Sequence, residues 1–339
     1  MTTHNFDHTA ISAGHPYHRL EVPAEVPFEL RPSPGKGWGA FATKHIDRGS
    51  LILSEKPTFI IRKSHTEITD YHVTMAFQKL SPRQRAQFLL LHNNGTSRCT
   101  SMNEAFAENS FNIANSDRDE PEAHGLFPLH SRFNHSCIPN SKVPTVSGEI
   151  ISTFATRDIR VGEEINFCYN TDFEFRTRYE RHQALRFTCR CVACLPGTPF
   201  QQLSDLRRRL IRGLQYLARG VDLDGQRLCS HSIIFDCTQR FVAETFSITL
   251  SSRFLYALLS IFFLEEEGLL DAFMDARLRP SLDKTVQLFK SESNQGIVGL
   301  AMEQKTWAKR LQVAFRLYGR EDAADYEVTL ALRRLRPFV

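Results

Sequence analysis

Residues 132–140 read Arg-Phe-Asn-His-Ser-Cys-Ile-Pro-Asn, and residues 189–194 read Cys-Arg-Cys-Val-Ala-Cys. Three thiols spaced as Cys189-x-Cys191-x-x-Cys194 can hold one tetrahedral zinc ion, but the site needs a fourth ligand from elsewhere. Cys137, inside the first run, is a candidate. Core cysteines or a redox Cys-x-x-Cys are the alternatives, and the redox reading wants a βαβ context that is missing here. Taken alone, the Asn134-His135 pair is better read as capping a turn.

Outward from these runs, the chain from Pro27 carries short β-type segments: WGAFAT (38–43), LILSE (51–55), PTFII (57–61), GEIISTFAT (148–156) and EINFCY (164–169). Two stretches echo each other. FATKHIDRGSLI (41–52) and FATRDIRVGEEI (154–165) share Phe, Ala, Thr, Ile, Gly and Ile, so the same β corner is predicted twice. Residues 73–91 between them are helix-like, with Ser81-Pro82 as a start signal. After Cys194 the pattern changes: Leu203, Leu206, Leu210, Ile211, Leu214 and Leu217 recur at helical spacing, as do Trp307, Leu311, Ala314, Phe315 and Tyr318.

Hydrophobic residues make up 42% and charged residues 24%, ordinary for a globular protein, and the formal net charge is +4. That charge is spread over both halves, which gives no direct sign of nucleic-acid binding. The longest apolar run, residues 254–264, is too short for a membrane span and predicts a buried helix. The N-terminal residues have neither a charged nor an apolar region of the secretory type. Clustered cysteines favour metal binding over disulfides, and the expected compartment is nucleus and/or cytoplasm.

Four ordered blocks resemble the SET family of protein-lysine methyltransferases: Gly35-Lys-Gly-Trp-Gly39, Asn134-His-Ser-Cys-Ile-Pro-Asn140, Gly162-Glu-Glu-Ile165 leading to Tyr169, and the Cys189 cluster as a post-SET segment. Asn109-Ser-Phe111 and Gly125-Leu-Phe-Pro128 are similar to the SET-and-MYND branch, although no cysteine lies between His45 and Arg98 to build a MYND finger. The resemblance implies an α+β chain: a SET β-clip fold of short sheets with a pseudoknot-like active site, plus an all-helical C-terminal domain. The implied layout is a loose leader (1–25), a SET domain (26–170, with a helical insert about 70–113), a post-SET zinc segment (171–199) and a helical domain (200–339).

It also implies roles. Lys36, Gly37, Trp38, Asn109, Asn134, His135, Tyr169 and Phe187 would line the S-adenosylmethionine site, with Asn134 and His135 at the amino-acid part and adenine edge. Tyr169 would be the catalytic residue, and Phe167 would lie in the substrate channel. Cys137, Cys189, Cys191 and Cys194 would hold one structural zinc ion. The substrate would be a lysine of a protein or peptide, a histone among the candidates. A non-catalytic SET domain that binds a peptide or protein partner is the alternative. The C-terminal helices would serve substrate selection, autoinhibition or partner binding.

Overall fold

The computed structural model describes residues 15–91, 99–113, 122–144, 150–185, 187–219, 249–289 and 293–303. The chain divides after Cys168 into two units, residues 1–168 and 169–339.

The first unit runs β1 (Phe28–Ser33), β2 (Gly37–Ala42), β3 (Leu51–Glu55), β4 (Ile60–Ile61), α1 (Asp70–Gln78), α2 (Pro82–Leu90), α3 (Met102–Asn109), β5 (Ser110–Ile113), β6 (Ala123–Leu126), β7 (Asn134–His135), β8 (Ser141–Lys142), β9 (Ile151–Ala155) and β10 (Glu164–Phe167). These strands form three small sheets in the orders β1-β2-β10-β7, β3-β9-β8 and β4-β6-β5. β10 lies between β2 and β7, antiparallel to the former and parallel to the latter. A late strand is thereby inserted between two earlier ones, the threaded topology expected of the SET fold. The α2 start is the one the sequence predicts. Ser81 accepts from the Gln84 amide while Gln84 Oε1 accepts from the Ser81 amide, and Pro82 opens the helix.

The two echoed segments clasp each other. Ile46 and Ile159 exchange both backbone hydrogen bonds (3.0 and 2.9 Å). Ala42 N–H donates to Glu163 O and Ala155 N–H to Ser50 O; Gly162 N–H donates to Ala42 O and Gly49 N–H to Ala155 O. Each bond of one copy thus has its counterpart in the other. Gly49 and Gly162 occupy the same place in the two copies, at φ +85° and +79°, a conformation that L side chains avoid. Inside the corners lies a core of Phe28, Ala40, Ile46, Ile52, Phe133, Ile159, Ile165 and Phe167.

Of the stretch expected as a loose leader, residues 1–25, the described part begins at His15; residues 1–14 lie outside the described residues. Pro16–Arg19 form a 3₁₀ turn capped by His15 Nδ1, which accepts from Tyr17 N–H at 3.2 Å. Tyr17 and Leu20 are buried in a cluster with Trp38, Val73 and Phe88. Gln87 of α2 brackets the segment, accepting from Glu21 N–H and donating to Arg19 O. Two buried side chains and these bonds hold a stretch too short to show any period.

The second unit contains a 3₁₀ turn (Phe173–Phe175), α4 (Arg178–Ala184), the cysteine segment, α5 (Pro199–Arg219), α6 (Leu250–Glu266), α7 (Ala272–Leu288) and α8 (Asn294–Glu303). Leu210, Ile211, Leu214 and Leu217 of α5 are buried with Tyr256, Phe263 and Leu264 of α6 and Met274 of α7. Each such side chain contributes roughly 1.5–3 kcal/mol of burial, so this apolar stripe is what commits α5 to its neighbours. The apolar run 254–264 falls inside α6, and no described helix is long and apolar enough to cross a membrane. The second predicted stripe, Trp307 to Tyr318, lies outside the described residues. Among the helices sits a buried ionic group. Glu267 is fully buried and accepts from Arg208 Nε (2.9 Å), from Arg207 Nη1 (3.4 Å) and from the Ser204 hydroxyl.

Candidate functional site

The residues expected at the site fall into both units. Lys36, Gly37, Trp38, Asn109, Asn134, His135, Cys137 and Phe167 belong to the first; Tyr169, Phe187, Cys189, Cys191 and Cys194 belong to the second.

In the first unit, the Gly35-Lys-Gly-Trp-Gly39 block makes the β1–β2 turn and the start of β2. Gly35 and Gly37 have φ of +73° and +80°. Gly39 is needed for a different reason: a Cβ there would lie 2.6 Å from Glu164 Oε1 and 2.8 Å from Asn134 Nδ2. This close approach is where two blocks far apart in sequence meet. Glu164 Oε1 accepts from Asn134 Nδ2 (2.7 Å) and from Ser33 Oγ (2.8 Å), and its Oε2 accepts from Lys36 Nζ (2.8 Å). Asn134 Nδ2 also donates to the Trp38 carbonyl at 3.0 Å. Lys36 therefore ends in an ion pair with Glu164. The Trp38 ring is buried beneath the N-terminal turn, stacked on His15 at 4.7 Å and edge-on to Tyr17 and His18.

The Asn134–Asn140 run is built into the threaded strand. Asn134 and His135 pair with Asn166 and Phe167, and Ser136 N–H donates to Phe167 O at 3.1 Å. His135 is buried, with Nε2 3.3 Å from Cys137 Sγ. The final Asn140 is a bracket: its Nδ2 donates to Glu164 O and Glu163 Oε1, and its Oδ1 accepts from Asn166 N–H. Its partner Glu163 is held below the usual glutamate range. Burial pushes the carboxyl upward, but hydrogen bonds from Arg157, Asn140 and the Arg160 N–H outweigh it. Phe167 is buried in the core, 5.9 Å from the Phe111 ring. Asn109, at the end of α3, is buried and donates to Ala105 O (2.7 Å), while its Oδ1 accepts from Arg132.

In the second unit, Tyr169 and Phe187 are each about half exposed and meet edge to face, with centroids 6.2 Å apart at 78°. The Sγ atoms of Cys189, Cys191 and Cys194 lie within 4.8 Å of one another. Their turn is closed by Cys194 N–H and Leu195 N–H, which both donate to Cys191 O (2.8 and 2.9 Å). The fully buried Arg181 donates to Ala193 O (3.1 Å) and to Cys194 Sγ (3.4 Å). A guanidinium N–H aimed at sulfur suits the thiolate, which is the metal-binding species. Cys137 is buried in the first unit.

Three participants were not singled out by sequence reasoning. Glu164 lies within a quoted block but joins two others only through the fold. Arg181 is separated from Cys194 by a helix end. Arg132 stands in the first quoted run, and its charge between Ser131 and Phe133 was the available sign.

Residues 37–170 match the family model of the SET domain. A protein of Gibberella zeae named as a methyltransferase is 26% identical, over 61% of this chain and 37% of its own length. The histone-lysine N-methyltransferase set5 of Schizosaccharomyces pombe is 30% identical, over 54% of this chain and 55% of its own. The human histone-lysine N-methyltransferase SMYD3 is 42% identical over a shorter match, 27% of this chain and 22% of its own. The chain thus spans from about a fifth to just over half of the length of these relatives.

Proposed function

Because residues 37–170 match the SET domain, we propose that the chain transfers methyl groups from S-adenosylmethionine to lysine side chains of proteins or peptides. The observation that carries this reading is the convergence on Glu164 of the Gly35–Gly39 turn and the Asn134 run, which leaves no room for a side chain at Gly39. The glycine lets the Glu164 and Asn134 side chains pack against the β2 backbone, which brings the two blocks together. The relatives named as histone-lysine methyltransferases support the substrate class.

S-adenosylmethionine, when bound, supplies a methyl group already activated on a sulfonium. Gly37, Trp38, Asn109, Asn134 and His135 would hold it, with Lys36 released from Glu164 or acting through it, and Phe187 against the adenine. The chain must then present a neutral amine. Lysine in water has a pKa near ~10.4, so at neutral pH it is mostly protonated. Burial in an aromatic channel favours the neutral form, and the proton leaves by water. The Tyr169 hydroxyl orients the nitrogen lone pair. Phe167 and Tyr169 would line the channel, and aromatic contact with methylated product would contribute about 0.5–2 kcal/mol each. Holding the reactants in line contributes on the order of 7–11 kcal/mol.

Cys189, Cys191 and Cys194 would hold one zinc ion with Cys137 as the fourth ligand, a closed tetrahedral set with a structural role. The post-SET stretch (171–199) would then place Phe187 and close one wall of the lysine channel, leaving the helices beyond residue 200 for substrate choice. Nucleus and cytoplasm are the expected compartments.

The test is Tyr169→Phe, which keeps the ring. Transfer of labelled methyl groups to cell-extract proteins should fall about 10²-fold or more, while cofactor affinity measured by calorimetry changes far less. Modified lysines should appear by mass spectrometry, and elemental analysis should find one zinc per chain. Transfer at the wild-type rate would remove Tyr169 from the chemistry. A wild type that binds the cofactor yet labels nothing would favour a peptide-binding module.

A further inference from the structure

Arg132 is 6% exposed and carries a full positive charge into the first unit. Its Nη2 donates to Asn109 Oδ1 and to Ser131 Oγ (3.0 Å), and its guanidinium lies 4.3 Å from the centre of the Tyr17 ring. Among the described residues its Nε has no hydrogen-bond partner, and its contacts with Asn109, Ser131 and Tyr17 bring no carboxylate. A guanidinium brings five N–H donors, and a buried charge without a counter-charge costs several kcal/mol.

The groups that touch it, Asn109, Ser131 and Tyr17, do not supply that counter-charge; the carboxylates of Glu104 and Glu108 act on Cys99. His15 is kept neutral by burial, and secondarily by His18 and Arg132 itself. Burial raises the Tyr17 hydroxyl against the opposing charge and hydrogen bond of Arg132, and burial with Glu108 and Glu104 pushes the Cys99 thiol up to about 11, so both stay protonated at neutral pH. Glu108 Oε2 lies 4.0 Å from Cys99 Sγ. Arg132 also shares its surroundings with the expected cofactor residues. It holds Asn109 directly, and Asn134, two residues on, is bonded to the Trp38 carbonyl. Trp38 in turn stacks on His15, and His15 meets Tyr17 edge to face at 4.7 Å.

We propose that Arg132 receives the carboxylate of the amino-acid end of S-adenosylmethionine. A planar fork of N–H donors matches a carboxylate through two parallel bonds, which a lysine cannot do. Tyr17 covers one face of the guanidinium and Asn109 fixes its edge, so the N-terminal turn becomes part of the binding site. This rests on the reading of the chain as a user of S-adenosylmethionine.

The experiment is a calorimetric titration of the full chain with S-adenosylmethionine and with its decarboxylated form. The wild type should bind the decarboxylated ligand about 10–100-fold more weakly, the range of one charged hydrogen-bonded contact. Arg132→Met should weaken S-adenosylmethionine by about the same factor and the decarboxylated ligand far less. Arg132→Lys, which keeps the charge but not the fork, should fall between. If the wild type binds both ligands alike, or if Arg132→Met weakens both equally, Arg132 is a structural residue and the assignment fails. The first of these needs no variant, so a misfolded mutant cannot decide the matter. If the wild type binds neither ligand, the methyltransferase reading itself fails.

Discussion

Buried arginines occur in both units, on different terms. In the second, Arg207 and Arg208 share Glu267, which also takes the Ser204 hydroxyl, and Arg208 reaches the Phe173 carbonyl as well. In the first, Arg132 is nearly as buried but is met by a neutral amide, a hydroxyl and a phenol ring. A guanidinium that only braces a fold can carry its counter-charge from the same chain, because nothing needs to enter. One that waits for an anion must leave that place open and tolerate the cost meanwhile. The two regions therefore show one residue type used for support and for recognition, and the difference lies in the partner rather than the depth.

That contrast can be broken by stability measurements. The largest effect is expected for Glu267→Gln, which strands two buried cations: roughly 3–5 kcal/mol of lost stability in urea unfolding. Arg132→Met should cost less than about 2 kcal/mol without ligand. It leaves Asn109 Oδ1 short of a donor, at about 1–3 kcal/mol, but removes an unpaired charge. Equal losses in the two variants would mean that Arg132 is as structural as Arg208. The smallest effect belongs to a third setting, the half-exposed Arg157–Glu163 pair (2.5 Å), expected to contribute under ~1 kcal/mol. Glu163 titrates lower when folded than when unfolded. Its contribution is therefore fully present above the ordinary glutamate pKa and lost as pH falls through the depressed folded value. Melting temperatures of wild type and Glu163→Gln should converge on acidification; a gap that widens instead would reverse the sign.

The legible parts of the molecule were those with a local pattern. The stripe Leu203 to Leu217 identified α5 because four of its residues, Leu210, Ile211, Leu214 and Leu217, are buried at helical spacing, and Ser81-Pro82 marked α2 because the cap is written in adjacent residues. The twin corners were visible because six residues recur in the same order, although their mutual clasp was not. Residues that meet across the chain had no such mark. Lys36 and Glu164 are joined only when β10 enters the sheet, and Tyr17 reaches Trp38 through a four-residue turn with no period to detect. The candidate site was thus legible as a set of motifs. The carboxylate that links two of them, and the arginine between them, emerged only in three dimensions.

The position of β10 also bears on how the protein is made. On the ribosome the hairpin of β1 and β2 is complete by Ala42, but the strand that covers its open edge begins at Glu164, roughly 120 residues later. At about 5–20 residues per second, that edge waits on the order of 6–25 s for its partner. An uncovered strand is a template for pairing with another chain. The insertion that brings distant blocks to Glu164 therefore creates an interval of exposure in every round of translation, during which a chaperone would have its clearest target on the nascent chain.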